Sequence, residues 1–189
     1  MKSLAILTTK SITHIRFLDS ITNNLISNYD VILSCKDISN LKKFKKLKKY
    51  QVEFPTNINE LLDLKRYFLF LNQLYKLVKK VDLIYVHTPI AAHSLRIMMF
   101  FIRKEIKIIY HIHGLRYIPN KYSIKSNLFR LFELVLSFKT DIFIVINKLD
   151  YSSITKFVNK KKVFFVKGVG ISLPKKIKKT NNNKKYFII

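Results

Sequence analysis

The residues best suited to chemistry in this sequence are histidines that follow short apolar runs. In the stretch KIIYHIHGLRY, residues 107–117, His111 and His113 are separated by one residue and followed by Gly114, one of only three glycines among 189 residues. His87 ends the apolar run DLIYVH in the same way. A neutral imidazole can exchange a proton, form hydrogen bonds at both nitrogens or bind a metal near neutral pH. These positions therefore predict a functional site.

His111 and His113 lie two residues apart, so on a strand their side chains point to the same face. The pair fits two interpretations: a contact with a ligand, or two ordinary polar residues at the end of a strand. A metal site is disfavoured because no carboxylate accompanies the pair and zinc usually takes three protein ligands. We therefore expect no metal and no other cofactor.

The segment after His87 predicts the start of a helix. Thr88 suits the N-cap, and Pro89 suits the first helical position. The amide groups at a helix N-terminus are also a natural site for phosphate, so the segment is either a capped helix start or part of an anion site. One turn further on, His93 and Arg96 predict a polar stripe on an otherwise apolar helix.

Apolar runs alternate with amphipathic segments along the chain. The runs predict strands at residues 3–9, 29–35, 51–54, 82–87, 107–113, 141–147 and 162–168. Helices are expected at residues 14–28, 57–80, 88–104, 124–138 and 148–158, with a short exposed helix in the lysine-rich segment 36–50. The alternation predicts an α/β fold: a doubly wound, mostly parallel, Rossmann-like sheet of about six strands with helices on both faces.

In the helix expected at residues 57–80, apolar residues at helical spacing predict one face that packs on the sheet. The members of that face are Leu61, Leu64, Phe68, Leu71, Leu74 and Val78.

A parallel sheet gathers the ends of its strands at one edge, and ligands bind outside the carboxyl ends. Four of the five histidines and all three glycines are predicted at this carboxyl edge: His14 in the loop after the first strand, His87, His111, His113, Gly114, Gly168 and Gly170. Gly114 is expected to let the backbone turn sharply and to let a ligand approach it closely. The sequence GVG at 168–170 lacks the third glycine and the following helix of a dinucleotide fingerprint.

The formal net charge is +25, from 36 Lys and Arg against 11 Asp and Glu. Lysine, isoleucine, asparagine and phenylalanine are abundant, as in AT-rich coding sequences. The charge therefore has two interpretations, a solvated lysine surface or a surface that meets anionic lipid head groups. Nucleic acid is disfavoured as a partner, because the basic runs lack interleaved aromatic residues suited to base stacking and no zinc-finger or RNP-type motif occurs.

Three features of the sequence bear on the location of the protein in the cell. No run of 18 uncharged apolar residues occurs. The N-terminal stretch MKSLAILTTKS becomes polar too early for a secretory signal peptide. The single Cys35, expected to be a small buried residue, offers no intramolecular disulfide and fits a reducing compartment. These features predict a cytoplasmic protein, peripheral at the inner face of the plasma membrane if the basic surface binds lipid.

Four segments, in order and in spacing, resemble glycosyltransferase family 4. They are DLIYVHTPIAAHSLRI at 82–97, IIYHIHGLRY at 108–117, TDIFIVINKLDYSSITKF at 140–157 and KVFFVKGVGIS at 162–172. THIRFL, after the first strand, is similar to the corresponding segment of the bacterial capsule and exopolysaccharide branch of that family. The chain departs from the family pattern at His111, where Thr is common, at Lys148, where Glu is common, and at Ser172, near the usual Asp.

The resemblance implies the N-terminal half of a GT-B enzyme, in which two Rossmann-like domains face each other across a cleft. Residues 1–172 would form the acceptor-side domain, and residues 173–189 a linker and the first strand of a donor domain that is cut off. The donor domain would bind the nucleotide-diphosphate sugar, without a metal. His113 would be the catalytic residue, lying against the transferred sugar. The predicted substrate-binding residues are His14, His87, Thr88, Arg96, His111, Gly114, Asn147, Gly168 and Gly170.

The resemblance therefore predicts a hexosyltransferase-type enzyme of cell-surface polysaccharide biosynthesis. It would transfer sugar from a nucleotide-diphosphate sugar to a lipid-linked or polysaccharide acceptor. Alone, the 189-residue chain is expected to be inactive. The alternative is a non-catalytic remnant, or a binding subunit that needs a separate donor-domain chain.

Overall fold

A computed structural model of the chain describes residues 1–56, 58–115 and 123–168. The strands are β1 (Lys2–Leu7), β2 (Tyr29–Cys35), β3 (Lys48–Gln51), β4 (Leu83–Val86), β5 (Lys107–Ile112), β6 (Ile142–Val145) and β7 (Val163–Phe165). The helices are α1 (Ser11–Phe17), α2 (Asp19–Leu25), α3 (Ile58–Leu62), α4 (Leu64–Lys80), α5 (Pro89–Met98), α6 (Ile124–Ser137) and α7 (Lys148–Ile154). The predicted linker and strand at 173–189 lie outside the described residues.

The strands form one sheet in the order β3-β2-β1-β4-β5-β6-β7, and every neighbouring pair is parallel. The predicted α/β class and parallel Rossmann-like sheet are confirmed, with seven strands in the described residues instead of about six. The order reverses at β1, because β2 and β3 lie on one side of it and β4 to β7 on the other. Ligands of open α/β sheets bind at such a switch point, outside the carboxyl ends of the strands. Here the switch point lies between β1 and β4.

Each face of the sheet has its own apolar core, because side chains at alternate positions of a strand point to opposite faces. On one face Leu4 and Ile6 of β1 pack with Leu18, which joins α1 to α2. On the other face Ala5 and Leu7 pack in a larger cluster that includes buried residues of α4, α5 and α7. Helices therefore cover both faces, as predicted. None of the described helices is both long and apolar enough to cross a bilayer.

Several predicted elements have different bounds in the structure. The helix expected at 14–28 is divided into α1 and α2, and the one expected at 57–80 into α3 and α4. Asp63 causes the second division: its Oδ1 accepts the N–H of Arg66 at 3.1 Å, which caps a new helix. The lysine-rich segment 36–50 contains two 3-10 turns, and β3 begins within it at Lys48. The exposed helix predicted there was wrong.

The apolar face predicted for the helix at 57–80 was only partly right. Leu74 and Val78 are buried as predicted, whereas Leu64 and Phe68 are 70% and 67% exposed. The segment from Phe68 to Leu71 is apolar at every position, so spacing alone could not distinguish adjacent stripes of the helix. Contact with the sheet selects the stripe that contains Phe70.

Candidate ligand site at the carboxyl edge

Two neighbouring strands place three imidazole rings on one face of the sheet. Tyr85 and His87 occupy alternate positions at the end of β4, and His111 and His113 occupy alternate positions at the end of β5. Because side chains two residues apart share a face and β4 pairs with β5, the four rings meet. Nδ1 of His87 lies 3.2 Å from Nε2 of His113, so the two histidines lie at the same edge of the sheet, as predicted.

The three imidazoles are close enough to act on the same small group. The rings of His111 and His113 are stacked, with centroids 4.5 Å apart and planes at 13°. The ring of His87 lies 5.0 Å from that of His111 and 5.5 Å from that of His113. One ring nitrogen of each histidine lies within 4.8 Å of the other two. We call His87, His111 and His113 the trihistidine cluster.

Hydrogen bonding leaves two nitrogens of the trihistidine cluster without a protein partner. The hydroxyl of Tyr85 lies 2.8 Å from Nδ1 of His111, which fixes the orientation of that ring. Nε2 of His87 and Nε2 of His111 are buried and form no hydrogen bond with the described residues. The side chains are 0% and 3% exposed, so neither nitrogen is open to bulk solvent. Buried polar atoms without a partner are rare in folded proteins. Three others occur among the described residues, Nδ1 of His14 and the hydroxyls of Thr22 and Ser34, but the two of His87 and His111, in rings only 5.0 Å apart, favour a site that binds something.

Burial keeps the trihistidine cluster neutral. Desolvation, helped by repulsion from the other two rings and from His14, lowers the pKa of His87 well below its usual value. Desolvation and repulsion from His113 lower the pKa of His111 to about 4. Desolvation also lowers the pKa of His113, and burial raises the pKa of the Tyr85 hydroxyl. At pH 7 each ring therefore has one nitrogen with a lone pair and one N–H.

Thr88 begins α5 at its N-cap, as predicted, but its hydroxyl does not cap the helix. Oγ1 of Thr88 accepts the N–H of Thr9 at 2.9 Å and lies 2.5 Å from Oγ1 of Thr9. These bonds join the segment after β1 to the start of α5, across the switch point. They hold the two strand ends together next to His87.

Gly114 takes a backbone conformation that side chains disfavour, with φ of +152°. A Cβ at this position would meet no atom within 4 Å, so the backbone turn, and not close packing, favours glycine here. The next residue is held from α7, since the N–H of Leu115 donates to Oδ1 of Asp150 at 3.3 Å. Asn147 in turn holds Asp150, because its Nδ2 donates to Oδ2 at 2.7 Å and its Oδ1 accepts the Asp150 N–H at 2.7 Å.

Both polar atoms of the Asn147 side chain thus bond to Asp150, so Asn147 caps α7 and fixes the carboxylate that holds Leu115. Gly168 has φ of +81° just after β7, and a Cβ there would also meet no atom within 4 Å. Both glycines follow strands at the carboxyl edge, as predicted. The predicted substrate-binding residue Gly170 lies outside the described residues.

His14 lies in α1 and not in a loop, which corrects its predicted position. Its side chain is fully buried, and its Nε2 lies 3.2 Å from the carbonyl oxygen of Ser34 at the end of β2. Desolvation lowers the pKa of His14 to about 4. The residue belongs to the carboxyl edge, but the fold covers it, so a substrate does not reach it in this structure.

Arg96 lies in a buried ion cluster and not on a polar stripe. Its side chain is 0% exposed, and Nη1 and Nη2 donate to the two carboxylate oxygens of Glu133 in α6 at 3.0 and 3.3 Å. Nε donates to the carbonyl oxygen of Ala92 at 3.1 Å, and the guanidinium lies 4.4 Å from the centre of the Tyr110 ring. These contacts join α5 to α6 and use the guanidinium internally. The prediction that Arg96 binds substrate does not fit this burial.

The third member of the ion cluster is His93, whose Nε2 lies 2.6 Å from Oε1 of Glu133. Burial opposes ionisation of Glu133, but the hydrogen bond from His93 and the charge of Arg96 outweigh it and lower the pKa of Glu133. We call His93, Arg96 and Glu133 the ion cluster.

Sequence reasoning did not select Tyr85, Thr9 or Glu133. The period of two along a strand places Tyr85 on the face of His87, so that rule could have found it. Thr9 follows β1 at the carboxyl edge, as the selected residues do. Glu133 is 37 residues from Arg96 and lies on another helix, so no local pattern links the two.

No family model matches the chain, and no curated protein matches its sequence. Solved structures match most of it. HepE from Anabaena, in complex with UDP and glucose, has a TM-score of 0.56 at 13% identity over 88% of this chain and 44% of HepE. MurG from Acinetobacter baumannii has a TM-score of 0.55 at 13% identity over 93% of this chain and 48% of MurG. Sucrose-phosphate synthase from Thermosynechococcus elongatus has a TM-score of 0.57 at 9% identity over 88% of this chain and 47% of the synthase.

The chain thus spans less than half the length of these three proteins. At such low identity the likeness shows the fold alone. That fold is the Rossmann-like α/β unit that forms one half of a GT-B protein. Membership of glycosyltransferase family 4 stays a prediction.

Proposed function

We propose that this chain is the acceptor-side half of a glycosyltransferase of cell-surface polysaccharide biosynthesis. The donor would be a nucleotide-diphosphate sugar, and the acceptor a lipid-linked sugar or a growing polysaccharide. The observation that carries the proposal is the trihistidine cluster, which lies beside the switch point of a GT-B-type half. HepE, which has a similar fold, holds UDP and glucose in its crystal structure. The sequence motifs at 82–97 and 108–117 support the same function.

In this proposal His113 contacts the transferred sugar. It is the most exposed ring of the trihistidine cluster, and its Nε2 lies against Nδ1 of His87. A neutral imidazole can accept a hydrogen bond from a sugar or acceptor hydroxyl, take its proton, or donate to an oxygen that gains negative charge. Tyr85 orients the neighbouring ring of His111, and the Thr9–Thr88 bonds fix the backbone around the site.

The test supplies a donor domain, by fusion or as a separate chain, and measures sugar transfer from a panel of UDP- and GDP-sugars. The chain alone should neither bind these donors tightly nor transfer sugar. With a competent donor domain, His113→Ala should lower the transfer rate by about 100-fold or more, as expected for loss of a general acid-base group. His93→Gln is the matched control, because His93 lies in the ion cluster and not at the carboxyl edge. It should leave the rate unchanged.

Micromolar binding of a sugar nucleotide to the chain alone would mean that this proposal assigns the donor site to the wrong domain. Equal losses for His113→Ala and His93→Gln would remove the special role of His113. No transfer with any donor domain would favour the non-catalytic binding subunit.

We also propose that an anionic membrane surface is a partner of this chain. Lys36, Lys42, Lys45 and Lys49 line a depression of about 490 Å³ between the end of β2 and β3, where Lys36 already pairs with Glu60 and Asp37 is the one acidic residue of the lining. Such a group of cations attracts anionic head groups, and each lysine near the surface contributes about 1 kcal/mol. A lipid-linked acceptor would be reached from the same surface.

Vesicle sedimentation tests this partner. Anionic vesicles should bind the chain, and binding should weaken steeply as salt is raised, because screening shortens the range of the attraction. The double variant Lys42→Glu, Lys45→Glu should bind far less. The control Lys160→Glu, Lys161→Glu makes the same charge change in an exposed turn before β7, at the opposite edge of the sheet. Equal binding to neutral and anionic vesicles would leave only a solvated lysine surface.

A further inference from the structure

We infer that the trihistidine cluster is a metal site, in which His87, His111 and His113 bind one divalent transition-metal ion, zinc by ligand preference. Imidazole suits zinc, and three protein ligands with a fourth position for water or a substrate oxygen form a common type of zinc site. The inference goes beyond the proposed transferase function and does not depend on it, since an ion bound through Nε2 of His113 would take the place of the sugar contact proposed for that ring. The sequence predicted that His87, His111 and His113 share one edge of the sheet but favoured no metal there, whereas the structure brings one ring nitrogen of each within 4.8 Å of the others.

The spacing of the ring nitrogens fits a shared ion. Two nitrogens bound to one tetrahedral zinc at about 2.0–2.1 Å lie about 3.3 Å apart. Nδ1 of His87 and Nε2 of His113 lie 3.2 Å apart. All three ligand nitrogens lie within 4.8 Å of one another. Closing the widest gap to the tetrahedral value requires a shift of about 1.5 Å, which rotation of a side chain supplies.

The surroundings of His111 match those of a metal ligand. A histidine that binds a metal usually bonds its second ring nitrogen to an oxygen, which orients the ring. Nδ1 of His111 has such a partner in the hydroxyl of Tyr85 at 2.8 Å. The opposite nitrogen, Nε2, is buried and has no partner among the described residues. His87 also has a buried nitrogen without a partner among the described residues, Nε2, but its Nδ1 faces His113 and would be the ligand in this geometry, so Nε2 would carry the proton.

The one cysteine does not compete, because Cys35 is fully buried and burial, with the nearby charge of Asp37, raises the pKa of its thiol to about 12. Among the described residues, His87, His111 and His113 form the group of three potential ligands that is close enough to share one ion.

The experiment uses the untagged 189-residue chain, freed of metal with a chelator, so that a histidine tag cannot bind the ion. Zinc chloride is titrated in by calorimetry with a competing chelator. Cobalt chloride is titrated separately, because tetrahedral Co²⁺ has strong visible absorption bands that report the coordination. We expect one ion per chain, tetrahedral cobalt bands and a rise in melting temperature with zinc.

His87→Gln, His111→Gln and His113→Gln should each lower the zinc affinity by at least 100-fold and abolish the cobalt bands. Tyr85→Phe should lower the affinity by about 10-fold, as loss of an outer partner does. His93→Gln, the matched control outside the cluster, should bind zinc like the natural chain. His113 is only partly buried, so its variant should fold, and its circular dichroism verifies this independently of metal.

Three results would overturn the inference. The first is zinc binding with a Kd above about 0.1 mM, which is far weaker than expected for a zinc site with three histidine ligands. The second is a His113→Gln chain that folds and binds zinc as the natural chain does. The third is an equal loss of affinity in His93→Gln, which would move the ion away from the carboxyl edge.

Discussion

Two clusters of buried polar side chains in the described residues, the ion cluster and the trihistidine cluster, differ in how fully their hydrogen bonds are satisfied. In the ion cluster the guanidinium of Arg96 bonds to both oxygens of Glu133 and to a backbone carbonyl, and His93 bonds to the same carboxylate. In the trihistidine cluster, Nε2 of His87 and of His111 have no partner among the described residues.

The difference indicates what each group does. A buried charge is stable only when it is paired and hydrogen-bonded, and the ion cluster meets that condition between α5 and α6. It therefore joins two helices, and none of its buried nitrogen or oxygen atoms lacks a partner among the described residues. The trihistidine cluster is uncharged and incompletely bonded, and it lies where ligands of such sheets bind. Its unused nitrogens are available to a ligand, at some expense in stability.

The largest expected effect comes from breaking the ion cluster. Glu133→Ala leaves the buried guanidinium of Arg96 without its carboxylate, which should lower the free energy of unfolding by about 3–5 kcal/mol in urea denaturation. The control Asp30→Ala removes the exposed carboxylate that pairs with Lys48 at 2.6 Å. It should lower the free energy of unfolding by less than about 1 kcal/mol. Similar losses for both variants would show that burial does not distinguish the two pairs.

A smaller effect is expected when Glu133 is protonated instead of removed. The pKa of Glu133 is lowered in the folded chain, so the unfolded chain binds more protons and stability rises with pH in that range. The contribution of Glu133 is therefore present above the usual carboxyl pKa and lost as the pH falls through the lower, folded value. The difference in unfolding free energy between the natural chain and Glu133→Gln should shrink as the pH falls below about 4.5. A difference that stays constant or grows would contradict the sign.

The smallest expected effect is in the trihistidine cluster. His87→Leu replaces a ring that has an unpartnered buried nitrogen with an apolar side chain. The free energy of unfolding should therefore fall by less than about 1 kcal/mol, or it should increase. His113 loses its partner His87 in this variant, but its ring is only partly buried, so water can replace that partner. Metal-free urea denaturation measures this effect. A loss of 3 kcal/mol or more, comparable with that of Glu133→Ala, would mean that His87 is a structural residue and would end the contrast between the two clusters.

Much of the fold was predictable because its signals are local. Apolar runs separated by amphipathic segments gave the strands of a parallel sheet, and the Thr88–Pro89 pair gave the start of α5. The division at Asp63 was not predicted, because the apolar residues on both sides continue a helical pattern. The buried face of α4 was missed for a related reason, since residues 68–71 are all apolar and only packing on the sheet selects Phe70.

The candidate site was predictable in position but not in composition. The sequence by itself determined that His87 and His113 end strands, and parallel strands bring their carboxyl ends to one edge. Only the tertiary structure decided that Nδ1 of His87 lies 3.2 Å from Nε2 of His113, since this distance depends on the pairing of β4 with β5. It likewise decided that Arg96 meets Glu133, because that contact needs α5 to pack against α6. Local sequence sets which way a side chain points along its own element. The approach of two elements far apart in sequence is set by the burial of the whole core.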